Sequence, residues 1–336
     1  VQTCALPISH QVVATRYSSG RVYLAGDACH LHPPFGGFGM NMGVSDAVDL
    51  GWKIAATLQG WGGPQLLASY ERERRPVHLH VLKEATANHA KLGGALFEPG
   101  IEDDTPEGAA VRQRVGERIR AVKLSEFFTL GTMLGDRYAD SPVVQTLATF
   151  NATLGPDKAV QEAPRDFLNF IPQALPGCRA PHAWLHDGSS LFDHFGVGFT
   201  LLVPQRPSTG SAQRDAGCLA AQNDARRLQV PLKVLALDNP ALQTLYPQRF
   251  TLVRPDQHVA WRGDAEPADL GAVEVVHGAV INVVRRPELE AREAARPVEA
   301  DARLRVDEGV EQPGGDRLNC DFLHAVGFIN DLGDVQ

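Results

Sequence analysis

Residues 20–43 read Gly20-Arg21-Val22-Tyr23-Leu24-Ala25-Gly26-Asp27-Ala28-Cys29-His30-Leu31-His32-Pro33-Pro34-Phe35-Gly36-Gly37-Phe38-Gly39-Met40-Asn41-Met42-Gly43. The apolar run from Val22 to Ala25 predicts a short buried strand, and Gly26-Asp27 stops it. The Gly- and Pro-rich segment from His30 to Asn41 predicts a loop. Ala47, Val48, Gly51, Ile54, Ala55 and Leu58 then recur at helical spacing, which predicts an amphipathic helix over about residues 44–58. Strand, loop and helix in this order predict an α/β fold that delivers Asp27 at the C-terminal end of a strand. Ligands of open α/β sheets bind beyond those ends. Glycines let the backbone approach a flat or phosphorylated ligand, and free N–H groups at a helix start favour negative charge. An Asp at this point can accept hydrogen bonds from a polyol chain. The segment therefore suits a cofactor with both hydroxyls and an anionic end. Gly37-x-Gly39-x-x-x-Gly43 departs from the dinucleotide fingerprint: it lies far from the strand end and has one spacer residue too many.

Working outward, the chain has 336 residues, enough for two domains of ordinary size. With 43% hydrophobic and 21% charged residues it has the composition expected of a soluble globular protein. No apolar run reaches the ~18–20 residues of a membrane span. A net charge of -8 argues against non-specific binding to nucleic acid or anionic membranes. Five scattered cysteines (Cys4, Cys29, Cys178, Cys218, Cys320) without a Cys-x-x-Cys exclude a disulfide scaffold and a zinc ribbon. They predict a reducing, cytoplasmic setting. Hydrolase and NTPase readings lack their signatures, Gly-x-Ser-x-Gly and the P-loop.

Gly60, Gly62, Gly63 and Pro64 break the first helix. A second helical stretch runs from Gln65; Pro76 is expected to end or kink it, with a further helix to about Leu92. Thr105-Pro106-Glu107 is a helix start, and that helix is expected to reach Leu134. Residues 141–172 read as a connection with some helix. Short strands at 199–202, 233–237, 250–253 and 259–262, with helices at 218–228 and 268–276, predict a small α/β domain over about 175–284. Residues 285–336 hold seven Arg against twelve Asp or Glu, so about -5 of the -8 lies there. Few apolar residues interrupt 285–317, and this tail is expected to be disordered.

The segment at 20–43 resembles the second FAD-binding motif of the flavoprotein aromatic monooxygenases, the family of phenol and para-hydroxybenzoate hydroxylases. The likeness continues through Asp46-Ala47-x-x-Leu50-x-Trp52-Lys53 and Tyr70-Glu71-x-Glu73-Arg74-Arg75-Pro76. Gly135-x-Arg137-Tyr138-x-x-Ser141-Pro142 resembles a linker motif of the phenol-hydroxylase branch. Pro176-Gly177-x-Arg179-Ala180-Pro181-His182 and Asp187-Gly188-x-Ser190-Leu191-x-Asp193 resemble the start of its thioredoxin-like C-terminal domain. Leu252-Val253-Arg254-Pro255-Asp256-x-x-Val259-Ala260-Trp261-Arg262 is similar to that domain's signature near its end. The resemblance covers about residues 10–284.

The resemblance implies an α/β architecture: part of a glutathione-reductase-like Rossmann FAD domain over 10–142, including interdomain helices, a linker over 143–174, and a thioredoxin-like domain over 175–284. Residues 1–9 stand outside it as a non-family tail. It implies that Asp27 bonds the ribityl chain of FAD. Pro34 would sit near the reactive C4a edge of the isoalloxazine, the one catalytic position implied. The backbone of Gly37, Phe38, Gly39, Met40 and Asn41 would face N1 and the C2 carbonyl, where a helix N-terminus stabilises the anionic reduced flavin. In this family NAD(P)H reduces FAD, O2 adds at C4a, and the hydroperoxide passes an oxygen to an aromatic ring. The implied substrate is phenolic or polyketide-like. A homodimer through the thioredoxin-like domain is a further expectation.

Other residues have plainer readings. His30-x-His32 and His78-x-His80 are not expected to bind metal, since no carboxylate or Cys completes either pair at ligand spacing. His30 is expected to pack the flavin loop, and His78 and His80 to lie on the surface. Trp52 and Lys53 read as helix packing and a snorkelling or paired cation rather than as catalysts. Arg72, Arg74 and Arg75 are expected to pair with Glu71, Glu73 and Glu84 rather than to clamp a phosphate. The family's Gly-x-Gly-x-x-Gly unit, its Asp-Gly motif and most of its substrate sheet do not occur in this sequence, which is expected to hold the C-terminal part and to bind FAD weakly. A non-catalytic module acting in dimerisation or interaction is the alternative.

Overall fold

The computed structural model describes residues 11–92, 98–154, 156–162, 166–204, 211–237, 239–264 and 306–308. The first part is a set of helices carrying small strands. Strands β1 (Val12–Ala14) and β4 (His30–Leu31) pair antiparallel, and β2 (Ser18–Ser19) and β3 (Val22–Tyr23) form a hairpin. The strand expected over residues 22–25 is thus only two residues long. Leu24 N–H instead bonds the Tyr17 carbonyl at 2.8 Å, which turns the chain toward the loop.

Helix α1 spans Phe38–Leu58 and begins six residues before the expected start at Val44. Gly39, Asn41 and Gly43 are poor helix formers, which is why the sequence reads as loop there. Burial overrides propensity: Phe38, Met42, Asp46, Asp49, Leu50, Lys53 and Ala56 lie on one buried face from the first turn onward. Helix α2 runs unbroken over Pro64–Leu92, with Pro76 inside it. Pro76 is on the exposed face, so the carbonyl of Arg72 that it leaves without an N–H can turn to water. Helix α3 (Pro106–Phe127) is capped by Thr105, whose hydroxyl accepts from Gly108 N–H at 3.1 Å. It stops before the expected Leu134; Leu130–Leu134 is a separate helix, α4. Helix α5 (Leu147–Leu154) is the helix within the connecting segment.

The second part is a four-stranded sheet of β5 (Phe199–Pro204), β6 (Leu232–Leu237), β7 (Phe250–Val253) and β8 (Val259–Gly263) in the order β6-β5-β7-β8. β5 and β6 are parallel, joined across helix α6 (Ser211–Arg227). β5–β7 and β7–β8 are antiparallel. Helix α6 starts earlier than the expected 218, and the short helix α7 (Pro240–Leu245) was not expected. All of β5 is buried, as a central strand covered on both faces must be. One face (Phe199, Leu201, Val203, Leu252, Trp261) packs on Ala56, Trp61 and Leu66 of the helical part. The other (Leu202, Leu237, Val253, Val259) packs on Leu191, Leu242 and Tyr246. Trp52 joins the first core, as expected of a packing residue.

The helix expected at 268–276 lies outside the described residues. So does the tail, apart from β9 (Val306–Glu308), which pairs antiparallel with β1. Among the described residues no helix is long and apolar enough to cross a membrane.

Candidate functional site

Past β3 the chain makes one tight turn, Gly26–Ala28, closed by Cys29 N–H on the Gly26 carbonyl at 2.9 Å. Gly26 has φ 60° and lies against Gly43 of α1, where an added Cβ would stand 3.4 Å from the Gly26 Cα. The turn and the helix can therefore meet backbone to backbone. Asp27 sits at the middle of this turn, exposed, without a hydrogen bond to the described residues. Pro34 is exposed on the loop that follows. Gly37 ends that loop at φ 65°, a left-handed conformation that glycine adopts without strain.

Gly37 is the N-cap of α1, and no side chain caps the helix start. The first turn holds no acid. Among the described residues nothing accepts from the backbone N–H groups of this turn, and the positive end of the helix dipole stands behind them. Asn41 donates to the Gly37 carbonyl at 3.0 Å and holds the loop end. Met40 and Asn41 are exposed and Gly39 half-buried. Phe38 is the exception: its ring is buried with Met42, Val77 and Val81, so only its backbone can face a ligand. The seven residues singled out from the sequence thus lie on one turn–loop–helix segment.

Beneath that segment lies a buried cluster built on Asp46. Its Oδ2 accepts from Gly26 N–H at 3.0 Å and from His30 Nε2 at 2.9 Å. Its Oδ1 accepts from Arg74 Nε at 2.8 Å and lies 2.9 Å from His78 Nε2. Burial alone would raise the Asp46 pKa, but the hydrogen bonds from His30 and His78 and the Arg74 charge hold it well below the usual range. One carboxylate and one guanidinium balance, and the His78 imidazole stays neutral between them. With Nε2–H donating to Asp46, His78 Nδ1 accepts from Tyr17 Oη at 2.6 Å. Burial, then the Arg74 charge, lower the His78 pKa to about 3, against the Asp46 hydrogen bond. Burial and neighbouring His30 lower His32 to about 4.

Three expectations are corrected here. His78 is fully buried rather than on the surface, because α2 turns that face toward α1 and Tyr17. Arg74 pairs with Asp46 across the two helices, not with a Glu of its own helix; Glu71 instead accepts from Tyr17 N–H at 2.8 Å. Cys29 and Asp46 do join His30 and His78, their ligand atoms all within 4.8 Å of one another. The donor set could suit a transition metal. However, N–H donors already occupy both oxygens of Asp46, and Arg74 supplies the cation at the centre. His30 packs under the loop as expected.

A second buried cluster lies one and two turns further along α1. Lys53 Nζ donates to Asp49 at 2.7 Å and to Glu73 at 2.6 Å, a paired cation rather than a snorkelling one. Arg254, from the end of β7, donates to Glu73 through Nη1 at 2.7 Å and Nη2 at 2.8 Å. It also reaches Asp49 at 3.0 Å and Asp256 at 2.5 and 3.1 Å. Burial would raise Glu73, but Arg254 and Lys53 lower it to about 2. Burial, with the charges of Glu73 and Asp256, pushes Asp49 well up. Sequence reasoning had Arg254 and Asp256 only as part of a signature; pairing across 181 and 205 residues leaves no local periodicity to find.

Comparison with known proteins follows this division. Residues 5–85 match the family described as FAD binding domain, and residues 173–287 match aromatic-ring hydroxylase, C-terminal. The FAD-dependent monooxygenase opdD of Penicillium oxalicum is 36% identical over 255 residues, 73% of this chain and 45% of the relative. Phenol 2-monooxygenase of a Pseudomonas species is 33% identical over 287 residues, 76% of this chain and 44% of the relative. The structure of the rebeccamycin biosynthetic enzyme RebC with reduced flavin matches at TM-score 0.65 and 41% identity, over 80% of this chain and 47% of that one. The chain spans about half the length of the relatives it matches. It is a member of the FAD-dependent aromatic-ring monooxygenase family, carrying residues of the FAD binding domain and the aromatic-ring hydroxylase C-terminal domain in that order.

Proposed function

We propose that this protein serves an FAD-dependent monooxygenase that hydroxylates a phenolic or polyketide-like aromatic ring, with O2 as oxygen source and NAD(P)H as reductant. The observation that carries this is the uncapped, acid-free start of α1 beside the exposed carboxylate of Asp27. FAD, when bound, supplies the redox and oxygen-activating chemistry. The chain's own residues bind and orient. Asp27 accepts hydrogen bonds from the ribityl hydroxyls. The N–H groups of the first turn of α1 stabilise negative charge at the pyrimidine edge. Pro34, with no N–H and no ionisable group, flanks the reacting edge and excludes water there. Asp46 holds the turn by its bond to Gly26.

The names of the relatives support an aromatic substrate. The β-α-β unit followed by a hairpin supports a thioredoxin-like reading of the C-terminal domain, used for packing and subunit contact, since it has no Cys-x-x-Cys. The five scattered cysteines, without a Cys-x-x-Cys, are in keeping with a cytoplasmic setting.

Titration of the chain with FAD, FMN and ADP, followed by flavin fluorescence and competition, tests the reading. FAD and FMN are expected to bind alike, because the residues described here face the isoalloxazine and ribityl side, and ADP is expected not to compete. Asp27→Ala should weaken both flavins by about tenfold or more, the loss of one charge-assisted hydrogen bond. Equal binding by the variant, or competition by ADP as strong as by FAD, refutes it.

A further inference from the structure

We propose that Arg254 of the C-terminal domain is a positioning residue for the Gly26–Asp27 turn, acting through Glu73, Tyr138, Arg74 and Asp46. The inference rests on the reading of that turn as the ribityl-side loop.

Arg254 is 1% exposed and stands at the β7–β8 turn, where its N–H bonds the His258 carbonyl at 2.8 Å. Its guanidinium crosses to the helical part and grips Glu73 of α2 with two parallel hydrogen bonds. The rings of Trp52 and Tyr138 lie 5.2 and 5.3 Å from it. Tyr138 in turn stacks on His258, at 4.2 Å between ring centres, and its hydroxyl accepts from Arg74 Nη1 at 3.3 Å. Arg74 holds Asp46, and Asp46 holds the Gly26 N–H.

Two features make this more than adhesion between domains. Glu73 and Arg74 are adjacent on α2, so one segment of backbone serves both clusters. Their partners Asp46, Asp49 and Lys53 lie on successive turns of α1, so the two clusters fix the register of α1 against α2 at two heights. Buried ion pairs are poor sources of net stability compared with apolar packing, and their best-attested use is to specify one arrangement. Here the arrangement specified is the one that places Gly43 of α1 against Gly26. A C-terminal domain seated without Arg254 would still bury its apolar face but would leave that register to the Lys53–Glu73 and Arg74–Asp46 pairs alone.

Hydrogen exchange of the full chain without FAD, read over residues 24–30, tests the proposal. Arg254→Met is expected to speed exchange there about tenfold, a coupling of ~1.4 kcal/mol. Protection in β5 should stay as in the parent protein. Tyr138→Phe keeps the ring and removes only the hydroxyl on Arg74; it should act in the same direction. The double variant should exceed the larger single effect little, and Arg254→Lys should recover part of the protection. The proposal is overturned if Arg254→Met affects only residues 250–263, or if the two substitutions add in full. Should Arg254→Met fail to fold, unchanged exchange over 24–30 in Tyr138→Phe overturns it alone. Because exchange is read without flavin, failure of the flavin reading and failure of this coupling give different results.

Discussion

His78 should make the fold acid-sensitive well above the carboxylate range. In the unfolded chain its imidazole titrates near 6.5, while in the folded cluster burial and Arg74 bring it to about 3. A folded pKa below the unfolded one means that the unfolded state binds the proton first. The stability His78 contributes is therefore complete above pH 6.5 and is lost as pH falls toward 3. At about pH 5 the difference approaches one proton, a slope of ~1.4 kcal/mol per pH unit. Integrated from about pH 6.5 to about pH 4.5, the loss is about 2 kcal/mol, a large share of the ~5–15 kcal/mol of a typical domain. His78→Gln keeps an amide donor for Asp46 and cannot titrate. Urea unfolding of parent and variant at several pH values across that window measures the two slopes. The variant is expected to start less stable at neutral pH, because the Tyr17 hydroxyl loses its acceptor, and to close the gap as the pH falls. Parallel slopes would show that the folded protein binds as many protons at His78 as the unfolded chain does, and would refute the neutral-imidazole account of His78.

The three carboxylates around Arg254 should respond unequally. Glu73 is the ionised partner of both cations, and Glu73→Gln should cost ~3–5 kcal/mol in chemical denaturation, as for a broken buried pair. Asp49, whose pKa is pushed up, carries less of the pairing; Asp49→Asn keeps one acceptor oxygen but turns its NH2 toward Lys53 or Arg254, and should cost ~1–3 kcal/mol, less than Glu73→Gln. Equal losses would contradict this division of charge. Gly177 lies at φ 86° with the Tyr138 carbonyl 2.9 Å from where a Cβ would be, so Gly177→Ala should lower the melting point by the equivalent of ~1–3 kcal/mol. Thr105→Ala should cost ~1 kcal/mol and raise exchange in the first turn of α3, since its hydroxyl caps that helix.

Elements whose burial follows their own local pattern were legible in the sequence. β7 and β8 are near-continuous apolar runs, and Thr105-Pro106-Glu107 announces its helix by capping chemistry alone. The misreadings share a cause: tertiary burial overrode a local preference. Gly39, Asn41 and Gly43 entered α1 because Phe38 and Met42 found a core formed by α2 and Tyr138. Pro76 stayed inside α2 because its position faces water. No window of sequence contains those partners.

The site divides along the same line, and the division explains why the motif at 20–43 is so specific. Asp27, Pro34 and Gly37 stand out in the sequence because each carries its chemistry, or its lack of a side chain, by itself. Asp46, Arg74, His78, Glu73 and Arg254 do not, because each works only through partners that are far away in the chain. Yet the second group determines where the first can stand. Asp27 is exposed and bonds none of the described residues, so nothing in its own side chain fixes its position. What fixes it is the bond from Gly26 N–H to Asp46 and the glycine contact with Gly43. The sequence motif is therefore the outer half of a structure whose inner half is ionic and buried. A substitution in the inner half should disturb the turn without touching any atom that a flavin would meet.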